Sequence, residues 1–215
     1  MMDINPEDLA YWYLRLNGFL TIQDLVVHPD WGTNQGTDID ILGVRFPYRA
    51  ENLKRPMEDA VVFSNVKDKP FVAVVEVKKG LCCLNKSWLD KEKPNLHRVI
   101  RFLGILPINN TEEAAETLYK DGMLTSESYH ISLTCIGETQ NYNTTKEYPQ
   151  VLQITWDEVL PFIFERFADY HRQKSSHRNQ WDDLGNYLWD MRERHKRDMP
   201  GFVIHIKDQL VEKQK

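Results

Sequence analysis

The run Phe71-Val72-Ala73-Val74-Val75-Glu76-Val77-Lys78 constrains this chain more than any other segment. Five apolar residues in succession put side chains on both faces of an extended strand. Such a strand needs cover on both sides and belongs in the interior of a sheet. The cover must come from elsewhere in 215 residues, a length that suits one domain. A hydrophobic fraction of 41% with only ten Gly and ten Pro supplies a core and excludes a disordered or collagen-like chain.

The flanking segments read as helices and further strands. Asn5-Pro6-Glu7-Asp8 opens a helix: Asn caps it, Pro occupies its first position, and two acids meet the positive end of its dipole. The stripe Leu9, Trp12/Tyr13, Leu16 carries that helix to Gly18. Strands are expected over Phe19–Val27 and Thr37–Phe46, with residues 28–36 as a polar loop and 47–70 as a long connection. Beyond the central strand, Asn95–Leu106 reads as a helix. Asn110 and Glu113 are spaced as a capping box for another, which stops at Gly122. Tyr129–Ile136 and Gln150–Thr155 read as strands. Thr155 and Glu158 form a second capping box ahead of the stripe Trp156, Val159, Leu160, Ile163, Phe167, Tyr170. A last helix is expected over Gln180–His195. Helix, strands, helices, strands and helices in that order make the chain α/β or α+β.

Charge and cysteine usage narrow the function classes. The net charge of −5 argues against a protein that coats nucleic acid. Residues 171–215 nevertheless hold 10 Lys+Arg against 7 Asp+Glu, and Lys78 to Arg101 form a second positive stretch. Cys82, Cys83 and Cys135 cannot make a disulfide framework or a four-cysteine zinc site, and Cys82 and Cys83 read as buried thiols. With no run of 18 apolar residues and no signal-peptide pattern at Met1, a cytoplasmic protein without membrane contact is expected.

Asp38 and Asp40 are two apart on one expected strand, as are Glu76 and Lys78 on another, so each pair is expected to share a face. Pairing of the two strands would bring three carboxylates and an ammonium to one end of the sheet. Carboxylates so gathered repel unless a hard cation such as Mg²⁺ lies between them, and Mg²⁺ takes one or two carboxylates together with phosphate and water. A charged pair closing a Val-rich strand is costly unless it reaches a cleft.

The order helix, strand, Asp strand, Glu-x-Lys strand, helix, strand over about residues 5–136 resembles the PD-(D/E)xK nuclease superfamily, the restriction-endonuclease-like fold. The resemblance implies a central mixed β-sheet flanked by helices in a single nuclease-like domain, with residues 150–215 as a C-terminal strand and helical extension. It implies an enzyme: a Mg²⁺-dependent (or Mn²⁺-dependent) nuclease hydrolysing phosphodiester bonds in DNA, in host defence. Catalysis would fall to Asp40, Glu76 and Lys78. The metal would be held by Asp40, Glu76 and the Val77 carbonyl, with Glu7 as an accessory ligand and Asp38 as the alternative to Asp40. The sequence lacks the literal Pro-Asp motif, since Thr37 precedes Asp38 and Ile39 precedes Asp40.

Lys79, Lys86, Lys91 and Lys93 follow the catalytic strand and are expected to grip the nucleic-acid backbone. A homodimer or a partner protein would supply recognition. The competing readings are a non-catalytic nucleic-acid- or protein-binding module on the same fold and a metal-dependent enzyme of free nucleotides. His28 is a further loop residue beside the expected cleft. Trp181, Tyr187 and Trp189, interleaved with Arg192, Arg194, Lys196 and Arg197, read first as core packing and second as a strand-gripping surface.

Overall fold

A computed structural model describes residues 2–31, 36–55, 57–90 and 92–210. In chain order these form α1 (Pro6–Leu16), β1 (Leu20–Val27), β2 (Thr37–Arg45), α2 (Val61–Ser64), β3 (Phe71–Val77), α3 (Asn95–Leu103), α4 (Thr111–Asp121), β4 (Met123–Thr125), β5 (His130–Gly137), α5 (Tyr142–Glu147), β6 (Leu152–Thr155), α6 (Trp156–Asp169), α7 (His171–Lys174), α8 (Asp183–Arg194) and α9 (Met199–Lys207). The six strands form one mixed sheet in the order β1-β2-β3-β5-β4, with β6 also paired to β5. β1, β2 and β3 run antiparallel in succession; β5 is parallel to β3, and β6 is parallel to β5. This is an α/β protein.

β3 is buried at every position, as its unbroken apolar run requires. Phe71, Ala73, Val75 and Val77 pack in one cluster with Trp12, Tyr13, Phe167, Trp189 and Phe202 from α1, α6, α8 and α9. Val72 and Val74 pack in the other with Leu96, Val99, Ala115 and Leu118 from α3 and α4. The C-terminal helices are therefore half of the cover the central strand needs, and not an extension appended to a finished core. Trp181 stacks on Phe167 at 5.4 Å, and Trp12 Nε1 donates to Asp182 at 2.9 Å. Trp189 is a core residue, and the half-buried Trp181 packs against that core.

Local signals explain most boundaries. Asn5 accepts from the Glu7 amide at the start of α1, and Gly104 ends α3 in the left-handed conformation (φ 63°), three residues short of the expected Leu106. Glu158 accepts from the Thr155 amide at 2.7 Å, one half of the second capping box. The first is not formed: Asn110 ends a 3-10 turn in a helical conformation and makes no cap bond. The short β4, α2 and α5 lie in segments too brief for a periodic pattern. α9 follows the expected last helix and starts where Asp198 accepts from the Gly201 amide.

The long connection after β2 is pinned at Asp59. Asp59 pairs with Arg45 of β2 and with Arg49, and accepts from Arg166 of α6 at 3.1 Å. Arg166, whose side chain is 0% exposed, also donates to the Glu58 carbonyl and lies 3.6 Å from Glu51. Asn17 Oδ1 accepts from the Ala60 amide at 2.8 Å, completing the anchorage. Among the described residues no helix is long and apolar enough to cross a membrane.

Candidate functional site

β2 pairs with β3 through Ile41↔Val75, and one step further along the register Asp40 comes beside Glu76, where β2 begins and β3 ends. The strand is irregular here. Asp24 has φ 51°, and the β1–β2 pairing passes from Gln23↔Ile41 to Leu25↔Ile39. Ile39 and Leu42, three apart, pack in the same cluster while Ile41 packs in the other. Period-two alternation therefore does not run through this stretch, and strand spacing does not put Asp38 and Asp40 on one face. Asp40, 3% exposed, turns its carboxylate onto β3, where Oδ2 accepts from the Val77 amide at 2.8 Å. Asp38 is only half-buried.

Glu76 is 2% exposed. Its Oε1 pairs with the Lys78 ammonium and its Oε2 accepts from Trp88 Nε1 at 2.9 Å. Lys78 also donates to Asn85 Oδ1 at 3.1 Å. The loop after β3 is thus tied to both charged residues. It is held in turn by Ser87, which bonds Thr37 Oγ1 at 2.7 Å and accepts from Asn95 Nδ2 at 3.0 Å through its carbonyl. The sequence placed Lys86 of this loop among the expected backbone contacts. It did not mark Trp88 and Asn85 as partners of Glu76 and Lys78, although chain proximity to the Glu-x-Lys pair was the available signal.

Burial pushes the Glu76 carboxyl up to about 7, the neighbouring Asp40 adds to the rise, and Lys78 and Trp88 oppose it. Burial lowers Lys78, but the Glu76 charge and hydrogen bond more than offset this and leave it above its ordinary value. In the metal-free protein native Glu76 holds its proton to about pH 7, whereas the unfolded carboxyl releases it near 4.5. The native state binds more protons in that window, so stability is expected to fall as pH rises from 4.5 to 7 and to level above it. The drop is roughly 3 kcal/mol at most. Urea midpoints in EDTA at acid and mildly alkaline pH should show it in the wild type and not in Glu76→Gln; parallel profiles would contradict it.

Among the described residues no group of three or more His, Cys, Asp or Glu side chains is placed to hold a metal ion. Asp40 and Glu76 are a two-carboxylate set. Their mutual repulsion is the kind a divalent cation relieves, and Mg²⁺ fits such a set when phosphate and water complete its shell. Glu7 is buried in the first turn of α1, over the same end of the sheet: its neighbour Asp8 accepts from Gln23, which pairs with Ile41.

The expected phosphate-gripping lysines are surface residues where they are described. Lys79 is exposed beside a cavity lined by Gly80, Glu138, Lys207 and Asp208. Lys86 is exposed on the 3-10 turn after β3, and exposed Lys93 lies 3.6 Å from Asp90. Lys91 lies outside the described residues. On α8 and just beyond it, Arg192 and Lys196 both pair with Glu193, which mutes the basic tail. His28 is exposed. Burial raises the Cys82 thiol to about 11 and raises Cys135 as well, so neither is a thiolate near neutrality. Compared with known proteins, the chain matches no family model, no curated protein and no solved structure.

Proposed function

We propose that this protein is a metal-dependent nuclease with a restriction-endonuclease-like core, acting on DNA. The observation that carries the reading is the buried Asp40 and Glu76 pair with the Lys78 ammonium on it, at the end of the central strand. The strand arrangement agrees with it: three antiparallel strands, then β5 parallel to the one that ends in Glu-x-Lys.

Asp40, Glu76 and the Val77 carbonyl would hold Mg²⁺ or Mn²⁺, with Glu7 at its margin. When bound, the ion supplies positive charge to the phosphate and lowers the pKa of a coordinated water. Lys78 donates to the phosphate oxygen on which charge gathers. Asn85 and Trp88 hold the ammonium and the carboxylate in register. Plasmid, single-stranded DNA, RNA and free nucleotides, each incubated with Mg²⁺, Mn²⁺ or EDTA, test the assignment. Cleavage of DNA with metal and none in EDTA is expected. Turnover of free nucleotides alone would move the reading to a nucleotide hydrolase.

A second reading has its own observation. Both Glu76 oxygens and Asp40 Oδ2 already accept hydrogen bonds within the chain, an arrangement that also suits a structural ion pair in a non-catalytic binding module. DNA binding with no cleavage under any metal would favour it.

Lys86 and Lys93 supply the grip in the nuclease reading. Each neutralised phosphate contributes a slope of about −0.9 in log K against log salt on duplex DNA. Lys86→Ala with Lys93→Ala is expected to flatten the slope by roughly two and to leave single-turnover cleavage of bound DNA unchanged. An unaltered slope would place the backbone elsewhere.

A further inference from the structure

A cavity of about 490 Å³ opens between the end of β1 and α3. Leu25, Val26 and Phe102 give it apolar walls, and His97, Arg98 and Arg101 give it a basic side. Phe102 is 56% exposed, so one side of its ring is open to a ligand. His97 lines the same side, its ring lying against Tyr119. Arg98 is engaged with Asp30 at 3.2 Å, while Arg101 is exposed.

The cavity is linked to the Asp40–Glu76 site through the start of α3 and the loop after β3. Asn95, the first residue of α3, donates to the Ser87 carbonyl, and the next residue, Trp88, donates to Glu76. On the other wall Val27 pairs with Thr37, which bonds Ser87. A chain of direct contacts thus joins the cavity to the carboxylates.

An apolar-walled cavity of this size with a cationic side and an exposed aromatic ring suits a flat, anionic ligand. We infer that it is a nucleotide pocket, which seats one unstacked base of a single strand against Phe102 with the adjoining phosphate on Arg101. The inference rests on the reading of this chain as acting on nucleic acid. It goes beyond that reading by giving the strand a place and a preference for single-stranded or unstacked segments.

The test is the affinity of the full chain for a short fluorescently labelled single-stranded DNA, read by anisotropy in EDTA so that neither metal nor cleavage enters. Phe102→Ala is expected to weaken binding about tenfold, the effect of losing one base stack. Arg101→Ala should flatten the salt slope by about 0.7. Lys120→Ala on α4 should bind as the wild type does. Both altered residues are exposed, and circular dichroism melting verifies that the variants fold. Wild-type affinity in Phe102→Ala and Arg101→Ala, or no binding by the wild type, would overturn the pocket. A protein that binds through Phe102 and Arg101 but cuts nothing with Mg²⁺ keeps the pocket and removes the nuclease reading. One that cuts with binding indifferent to both residues does the reverse.

Discussion

Glu76→Gln is expected to lower Mg²⁺-dependent DNA cleavage about a thousandfold, and Lys78→Ala by about two to three orders of magnitude. The two losses have different origins. Glutamine keeps an oxygen to accept from Trp88 but carries no negative charge, so the ion loses half of its two-carboxylate set. Lys78→Ala leaves Asp40 and Glu76 in place and removes the donor to the phosphate. Metal titration by calorimetry should therefore weaken strongly in Glu76→Gln and survive in Lys78→Ala. Neither variant should unfold. Glu76→Gln removes a buried charge that costs stability above pH 7, and Lys78 has its side chain 27% exposed, so its loss leaves no deep cavity. Wild-type cleavage rates in both variants would remove the catalytic assignment.

Asp59→Ala is expected to cost about 3–5 kcal/mol of stability, the penalty for breaking a buried ion pair from one side. Asp59 faces Arg45, Arg49 and Arg166; its own side chain is 8% exposed and that of Arg166 is wholly buried. Alanine leaves three guanidinium groups together with Glu51 as the nearest compensating acid. For a chain of this size the melting temperature should fall by about 10 °C. Asp59→Asn, which keeps acceptor geometry and loses charge, should lie between. The Asp40–Glu76 pair lies at the opposite end of β2 from Arg45, so residual folded protein should keep its specific activity. A urea midpoint unchanged by Asp59→Ala would show that the arginines find water instead.

The parts of the fold written in local pattern were legible. The unbroken apolar run of β3 demanded two helical layers, and the structure supplies them. Asn5-Pro6 and Gly122 mark helix ends through caps and a left-handed turn, which depend on neighbouring residues alone. What stayed hidden depends on partners far along the chain. The Asp59 cluster joins β2 to α6 across more than a hundred residues of sequence. The irregularity at Asp40 lies opposite Asp24 of β1, and no alternation count along β2 reveals it. α9 has a nearly continuous apolar run, Phe202-Val203-Ile204-His205-Ile206, with no helical period to announce it. At the site, Asp40, Glu76 and Lys78 were legible because the order of the strands brings the start of β2 beside the end of β3. Trp88 was not, because its bond to Glu76 depends on how the loop folds back.

Diffraction from crystals soaked in Mn²⁺, collected at the manganese edge, is the most direct measurement of the site itself. The expected result is one anomalous peak between the Asp40 and Glu76 carboxylates, within about 2.0–2.3 Å of an oxygen of each, and lost in Glu76→Gln. A fully soaked crystal with no peak there, and with Lys78 still seated on Glu76, would contradict metal-dependent catalysis at this end of the sheet.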